Sequence, residues 1–202
     1  MPPATAKKPR TKPAEERRKE LMDAAQVLFL EQGVAQTTIE QITVAAGVAK
    51  GSFYLHFSSK DDVLAALRSR WLATYSAKIQ VAIDSRPSGD WPGKLRAWVR
   101  AAVDGYFETV EIHDLVFHEP IPVSTKGIAL GESTKQLASL FEMGNTAHAW
   151  ALDDCPFVAA FFFSGFHGSI DYETSKQEPI ARAALVKRLQ KLMQRIVQPI
   201  GV

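Results

Sequence analysis

Between Thr37 and Phe57 two short apolar stripes at helical spacing lie on either side of one glycine, Gly47. The first stripe is Ile39, Ile42, Ala45 and Ala46. Thr37 has Glu40 three residues on and Thr38 has Gln41, so either threonine can head a reciprocal cap. The second stretch runs from Val48 to Phe57, with Phe53 and Phe57 four apart and therefore on one face. Two short helices joined by a tight glycine turn form a helix-turn-helix, and this pattern constrains the chain more than any other.

The rest of the sequence also reads as helix. From Ala14 a stripe of Leu21, Ala25, Leu28 and Phe29 predicts a helix that Gly33 ends. Ser58-Ser59-Lys60-Asp61-Asp62 caps a long helix from about Ser59 to about Ile83. Pro87, Gly89, Pro92 and Gly93 mark a loop. Further helices are expected over about 93–113, 125–150 with a weak point at Gly144, 156–171, and from Pro179 to just before Pro199. No stretch alternates as a strand would. The expected fold is all-α: an N-terminal three-helix helix-turn-helix domain plus a C-terminal helical domain. The expected divisions are a flexible basic arm over 1–13, a DNA-binding domain over 14–60, and a ligand-binding and dimerisation domain over 61–202.

Charge has a direction along the chain. The formal total is only +2, but residues 1–60 hold nine basic and six acidic residues and the remainder is slightly acidic. Lys7, Lys8, Arg10 and Lys12 sit among four prolines. Such an arm is either a solvated tail or a reach into a DNA groove. The single cysteine, Cys155, excludes a disulfide framework and a cysteine-cluster zinc site. The apolar run from Phe157 to Phe166 is too short to span a bilayer, and the N-terminus lacks a signal-peptide core. A cytoplasmic protein with no membrane partner is expected. His113 and His118 are five apart, not the four that align on a helix face, so with Asp114 and Glu119 they make a poor metal set. No nucleophile–base arrangement appears. No catalytic residue, metal or cofactor is expected.

In a helix-turn-helix the second helix lies in the major groove with its first residues at the base edges. Here these are Ala49, Lys50, Gly51 and Ser52, small apart from Lys50, whose ammonium can donate to guanine O6 and N7. Thr37, Thr38, Tyr54, His56 and Lys60 carry donors suited to phosphate oxygens, although either threonine can simply cap. Gly33, Thr37-Thr38-Ile39, Ile42, Ala45-Ala46-Gly47-Val48, Lys50 through Asp61, and Leu64 together resemble the tetracycline-repressor (TetR) family of bacterial transcription regulators. The resemblance covers about Glu15 to Leu67. It implies a three-helix DNA-binding head, a linking fourth helix, and a C-terminal domain that dimerises and binds an inducer. By position it makes Lys50 a base contact, Tyr54 a base or phosphate contact, and Thr38, Ser52, His56 and Lys60 phosphate contacts. Ala49 stands where serine is frequent, which could remove one polar contact.

Two further sets of residues follow in the C-terminal part. Large aromatics and histidines, namely Trp71, Trp98, Tyr106, Phe107, Phe117, His118, Phe141, His148, Phe162 and Phe166, are either ordinary core or the wall of a cavity for a small apolar or aromatic molecule. Phe161, Gly165 and Gly168 on one helix, with Leu185, Leu189, Leu192 and Ile196 on the last, are either core or a two-fold four-helix interface. The resemblance favours the interface. The whole reads as a homodimeric repressor that leaves a pseudo-palindromic double-stranded operator when an inducer binds. Two alternatives stay open: a constitutive DNA-binding dimer, and a small-molecule binding protein or enzyme that carries a helix-turn-helix.

Overall fold

A computed structural model describes residues 13–118, 131–176 and 178–197, and among them every regular element is helical. The expected basic arm lies outside the described residues apart from Pro13. The helices are α1 (Ala14–Gln36), α2 (Ile39–Ala45), α3 (Lys50–Tyr54), α4 (Lys60–Asp84), α5 (Trp91–Glu108), α6 (Val110–His118), α7 (Glu132–Thr146), α8 (Cys155–Ser175) and α9 (Arg182–Val197). They gather in two compact units. One contains α1 to α3, α4 up to Arg68, and α6 from Asp114; the other contains the remainder. The division falls inside α4, after Arg68, and not at its first residue.

In the first unit Leu21, Met22, Ala25 and Phe29 of α1 are buried, as are Ile42, Phe53, Phe57, Val63, Leu64 and Leu67. The inward Phe53–Phe57 pair and most of the α1 stripe are therefore where the spacing puts them, whereas in the expected α2 stripe only Ile42 is fully buried and Ala45 is exposed, because α2 is only seven residues long. Gly33 breaks α1 with φ +82°, a region that L side chains rarely adopt. Arg68 joins α4 to α6 within this unit: its Nε donates to the Val116 carbonyl at 2.8 Å and its guanidinium lies 4.6 Å from the Phe117 ring centroid. Burial lowers its pKa from the usual arginine value.

The second unit has one core, with Trp98, Val99, Phe141, Ala159 and Phe166 fully enclosed. Within it α8 packs on α7, and α9 on α5. Two departures from the sequence reading have a visible physical reason. The helix expected over 93–113 ends at Glu108, because Thr109 leaves helical geometry (φ −133°, ψ 24°). Its hydroxyl donates to the Gly105 carbonyl at 2.7 Å and accepts from Trp71 Nε1 at 3.0 Å. Gly144 is no weak point. α7 continues through it, and the missing side chain makes room for the Trp150 indole, whose Cζ2 would lie 1.9 Å from an added Cβ.

Candidate nucleic-acid interface

The turn between α2 and α3 is built by local rules. Thr38 caps α2: its Oγ1 accepts from Gln41 N at 3.1 Å, and Gln41 Oε1 accepts from Thr38 N at 2.8 Å. At the other end Gly47 has φ +65°, Val48 N donates to Thr43 O and Gly47 N to Val44 O. This pair of bonds is a Schellman closure and requires the left-handed residue that glycine supplies. The chain then re-enters helix at Lys50 behind Ala49, which provides no side-chain cap.

The first turn of α3 is open. Lys50 and Gly51 are exposed, and Ser52 and His56 are half-buried. Tyr54 is 55% exposed, its ring edge-on to Phe53. Phe53 is fully buried and anchors the helix from below. Leu55, which no apolar period singles out, is 81% exposed just beyond Tyr54. An apolar side chain there is suited to a thymine methyl group or a sugar.

Two of the expected contacts belong to the scaffold instead. Thr37 is 1% exposed, and its hydroxyl donates to the Gly33 carbonyl at 2.8 Å and accepts from Gln32 Nε2 at 3.2 Å. Lys60 donates to the carbonyls of Val34 (2.6 Å), Ala35 (3.2 Å) and Thr37 (2.5 Å). All three ammonium hydrogens are engaged. The last turn of α1 has no basic residue of its own, so its unpaired carbonyls and negative helix end are met by the first residue of α4. Asp62 completes the junction by accepting from Ser58 N at 2.9 Å and Ser58 Oγ at 2.8 Å. These bonds, the backbone one first, lower its pKa.

The aromatic candidates scatter. Trp98, Tyr106, Phe141, Phe162 and Phe166 meet in the core of the second unit, with Trp71 and Phe107 at its margin. They fill space with one another: Trp98 lies edge-on to Phe162 (5.9 Å) and Phe166 (6.1 Å), and Trp71 stacks on Tyr75 at 4.8 Å. Phe117 belongs to the first unit, under Arg68. His148 is exposed at φ +54° in the turn after α7, so it walls no cavity. The His118 side chain lies outside the described residues. One polar detail of this core is notable: Trp98 Nε1 is buried with no hydrogen-bond partner. His167, which spacing did not single out, lies in the same region. Its ring is 4.6 Å from Phe163 and 6.1 Å from His113, and burial lowers its pKa against the opposing pull of the Phe163 carbonyl and Asp171.

The interface candidates divide. Leu185 and Leu189 are buried in their own chain's core, because α9 turns that face toward α5. They are therefore unavailable to a partner. Ile196 is partly buried against the same core. Phe161 (65%) and Leu192 (50%) are exposed, and Gly165 and Gly168 have open space where a Cβ would be. Phe157 and Tyr172, at 67% and 59%, extend the α8 stripe at both ends. Among the described residues no three His, Cys, Asp or Glu side chains gather to hold a metal, and no helix is long and apolar enough to cross a membrane.

The model of the family described as bacterial regulatory proteins, tetR family, matches residues 21–67. The HTH-type transcriptional repressor KstR2 of Rhodococcus jostii (strain RHA1) is 39% identical over 74 residues, 35% of this chain and 36% of that one. The chain thus matches about a third of that relative's length. A bacterial regulatory protein of the tetR family from Rhodococcus RHA1 has the same fold, with a TM-score of 0.64 at 21% identity, covering 95% of this chain and 100% of that one. The fatty acid degradation regulator FadR of Bacillus halodurans gives 0.67 at 21%, covering 91% and 96%. The matched segment is the one whose cap, glycine turn and open helix are described above; over it, about a quarter of its length, the chain is similar to bacterial regulatory proteins of the tetR family.

Proposed function

We propose that this protein is a homodimeric repressor that reads a pseudo-palindromic operator with α3 and releases it when a small, largely apolar molecule binds the second unit. The observation that carries the DNA reading is the first turn of α3: Lys50 and Gly51 stand free on a helix whose Phe53 is fully buried beneath them. Lys50 reads bases, Gly51 lets the backbone approach, and Thr38, Ser52, Tyr54 and His56 hold phosphates. Two heads about one helical turn apart, roughly 34–36 Å, suit a two-fold site. The exposed stripe of α8 with Leu192 supports pairing with a second copy. Selection of bound fragments from genomic DNA tests this reading. Recovery of one inverted-repeat sequence supports it; recovery without sequence preference refutes it.

The buried, unpartnered Trp98 Nε1 supports an inducer with a carbonyl or carboxyl acceptor, since an orphan donor in a core costs about 1–3 kcal/mol until it is met. FadR's name ties that neighbour to fatty acid degradation, and fatty acids join an apolar chain to such an acceptor. Release of the selected operator by fatty acids or aromatic ketones, weakened at least tenfold by Trp98→Phe, is the expected result. The rival, a constitutive DNA-binding dimer, is favoured by the mutual packing of Trp98, Phe162 and Phe166. It predicts that none of these compounds releases DNA.

A further inference from the structure

One cleft of the second unit has a chemistry unlike anything assigned above. The end of α4 with the residues just after it, α5 from Gly93 to Asp104, and Gln190 of α9 border an open cleft of about 480 Å³. Ala82, Gly93, Ala97 and Ala101 line it, and their small side chains leave the space open. Its polar lining is Arg86, Arg96 and Arg100 with Ser85, Asp104 and Gln190. Arg96 and Arg100 are four apart on α5 and so neighbours on one face, where like charges repel unless an anion lies between them. No residue spacing announces this set, because Arg86 comes from a different element.

Protein carboxylates do not saturate these groups. Asp90 Oδ2 is 3.7 Å from Arg86 Nε and Asp90 Oδ1 is 4.0 Å from Arg96 Nη2, both too long for a hydrogen bond. Asp90 Oδ1 already accepts from Gly93 N at 2.9 Å, as the cap of α5. Arg100 forms no ion pair among the described residues, and neither does Asp104, which lies on the same wall. Guanidinium forks with free donors match the geometry of carboxylate and phosphate oxygens. The volume is that of a small-molecule site. Asp104 in the wall, with Asp90 beside Arg86 and Arg96, would repel a continuous run of phosphates, so a compact ligand fits and a nucleic-acid strand does not.

We propose that this cleft binds a small molecule through an oxyanion, a phosphate or carboxylate group forked by Arg86, Arg96 and Arg100. The claim does not depend on the DNA reading, and its test measures binding directly. The full chain, ¹⁵N-labelled, is titrated with inorganic phosphate and separately with succinate, each against sodium chloride at equal ionic strength. Side-chain Nε–H signals of the three arginines are followed. The expected result is a saturable shift of these signals with at least one of the two probes. An Arg96→Gln/Arg100→Gln double variant should weaken binding at least tenfold, and Arg96→Lys/Arg100→Lys should not restore it, because an ammonium cannot fork. All three side chains are on the surface, and unchanged backbone spectra confirm that the variants fold. Saturation by phosphate alone or by succinate alone identifies the source of the oxyanion. Shifts no larger than those with chloride, binding unaffected by the double variant, or displacement of the bound probe by duplex DNA at these three arginines would each overturn the proposal.

Discussion

In the first unit α2 and α3 have seven and five residues, and much of what fixes them is polar and local: the Thr38–Gln41 box, the Gly47 closure, the Thr37 hydroxyl and the Lys60 ammonium. In the second unit α5, α7, α8 and α9 run 15 to 21 residues and are fixed by aromatic packing around Trp98, Phe141 and Phe166. Helices of five to seven residues are not stable alone, so the first unit needs directional bonds at each helix end. Longer helices need mainly a well-filled core. The difference sorts substitutions: the first unit is sensitive to lost hydrogen bonds, the second to changed volume.

The largest expected effect lies in the second unit. Gly144→Ala drives a Cβ into the Trp150 ring and disturbs the bond from Trp150 Nε1 to the Phe141 carbonyl, at 2.8 Å. It should cost about 3 kcal/mol in urea unfolding, with altered tryptophan fluorescence. Lys60→Ala is the counterpart in the first unit. It strands three carbonyls and should cost about 2 kcal/mol. The salt slope of DNA binding should stay as it was, whereas a fall of about one would mean that Lys60 contacts a phosphate. Thr38→Ala removes one cap and should cost about 1 kcal/mol by the same unfolding assay.

The smallest effect is the response to acid of His167. Burial holds its pKa below 6.5 in the folded chain, so the unfolded chain takes up the proton first. The stabilisation from the neutral ring is complete above pH 6.5 and is lost as pH falls below it. Melting temperatures measured from pH 7.5 down to pH 5 should fall less steeply for His167→Gln than for the parent. Parallel curves would mean that His167 does not contribute to acid sensitivity.

The same difference explains what could be read in advance. The cap at Thr38, the turn at Gly47 and the inward pair Phe53–Phe57 are set by neighbours within five residues, so spacing reveals them. The bonds that Lys60 and Thr37 donate within the scaffold are not legible in advance, because the acceptors are carbonyls, which every residue has and no sequence pattern marks. The Lys60 bonds reach back 23 to 26 residues. In the second unit the aromatic content is plain, but which ring meets which depends on helix pairing: α9 against α5 buries Leu185 and Leu189 and leaves Leu192 open. The break at Thr109 had no glycine or proline to announce it; it rests on a hydroxyl bonded to Gly105 and Trp71. The three arginines of the α4–α5–α9 cleft converge only once α5 lies beside the end of α4.

We propose that the open first turn of α3 reads bases through Lys50, while Lys60 holds the scaffold. The most direct measurement compares the binding of parent, Lys50→Ala and Lys60→Ala to a selected operator and to a scrambled duplex at the same salt concentration. Lys50→Ala should lose about 1–3 kcal/mol on the operator and much less on the scrambled duplex, with unfolding unchanged. Equal losses on both duplexes for Lys50→Ala would contradict the account.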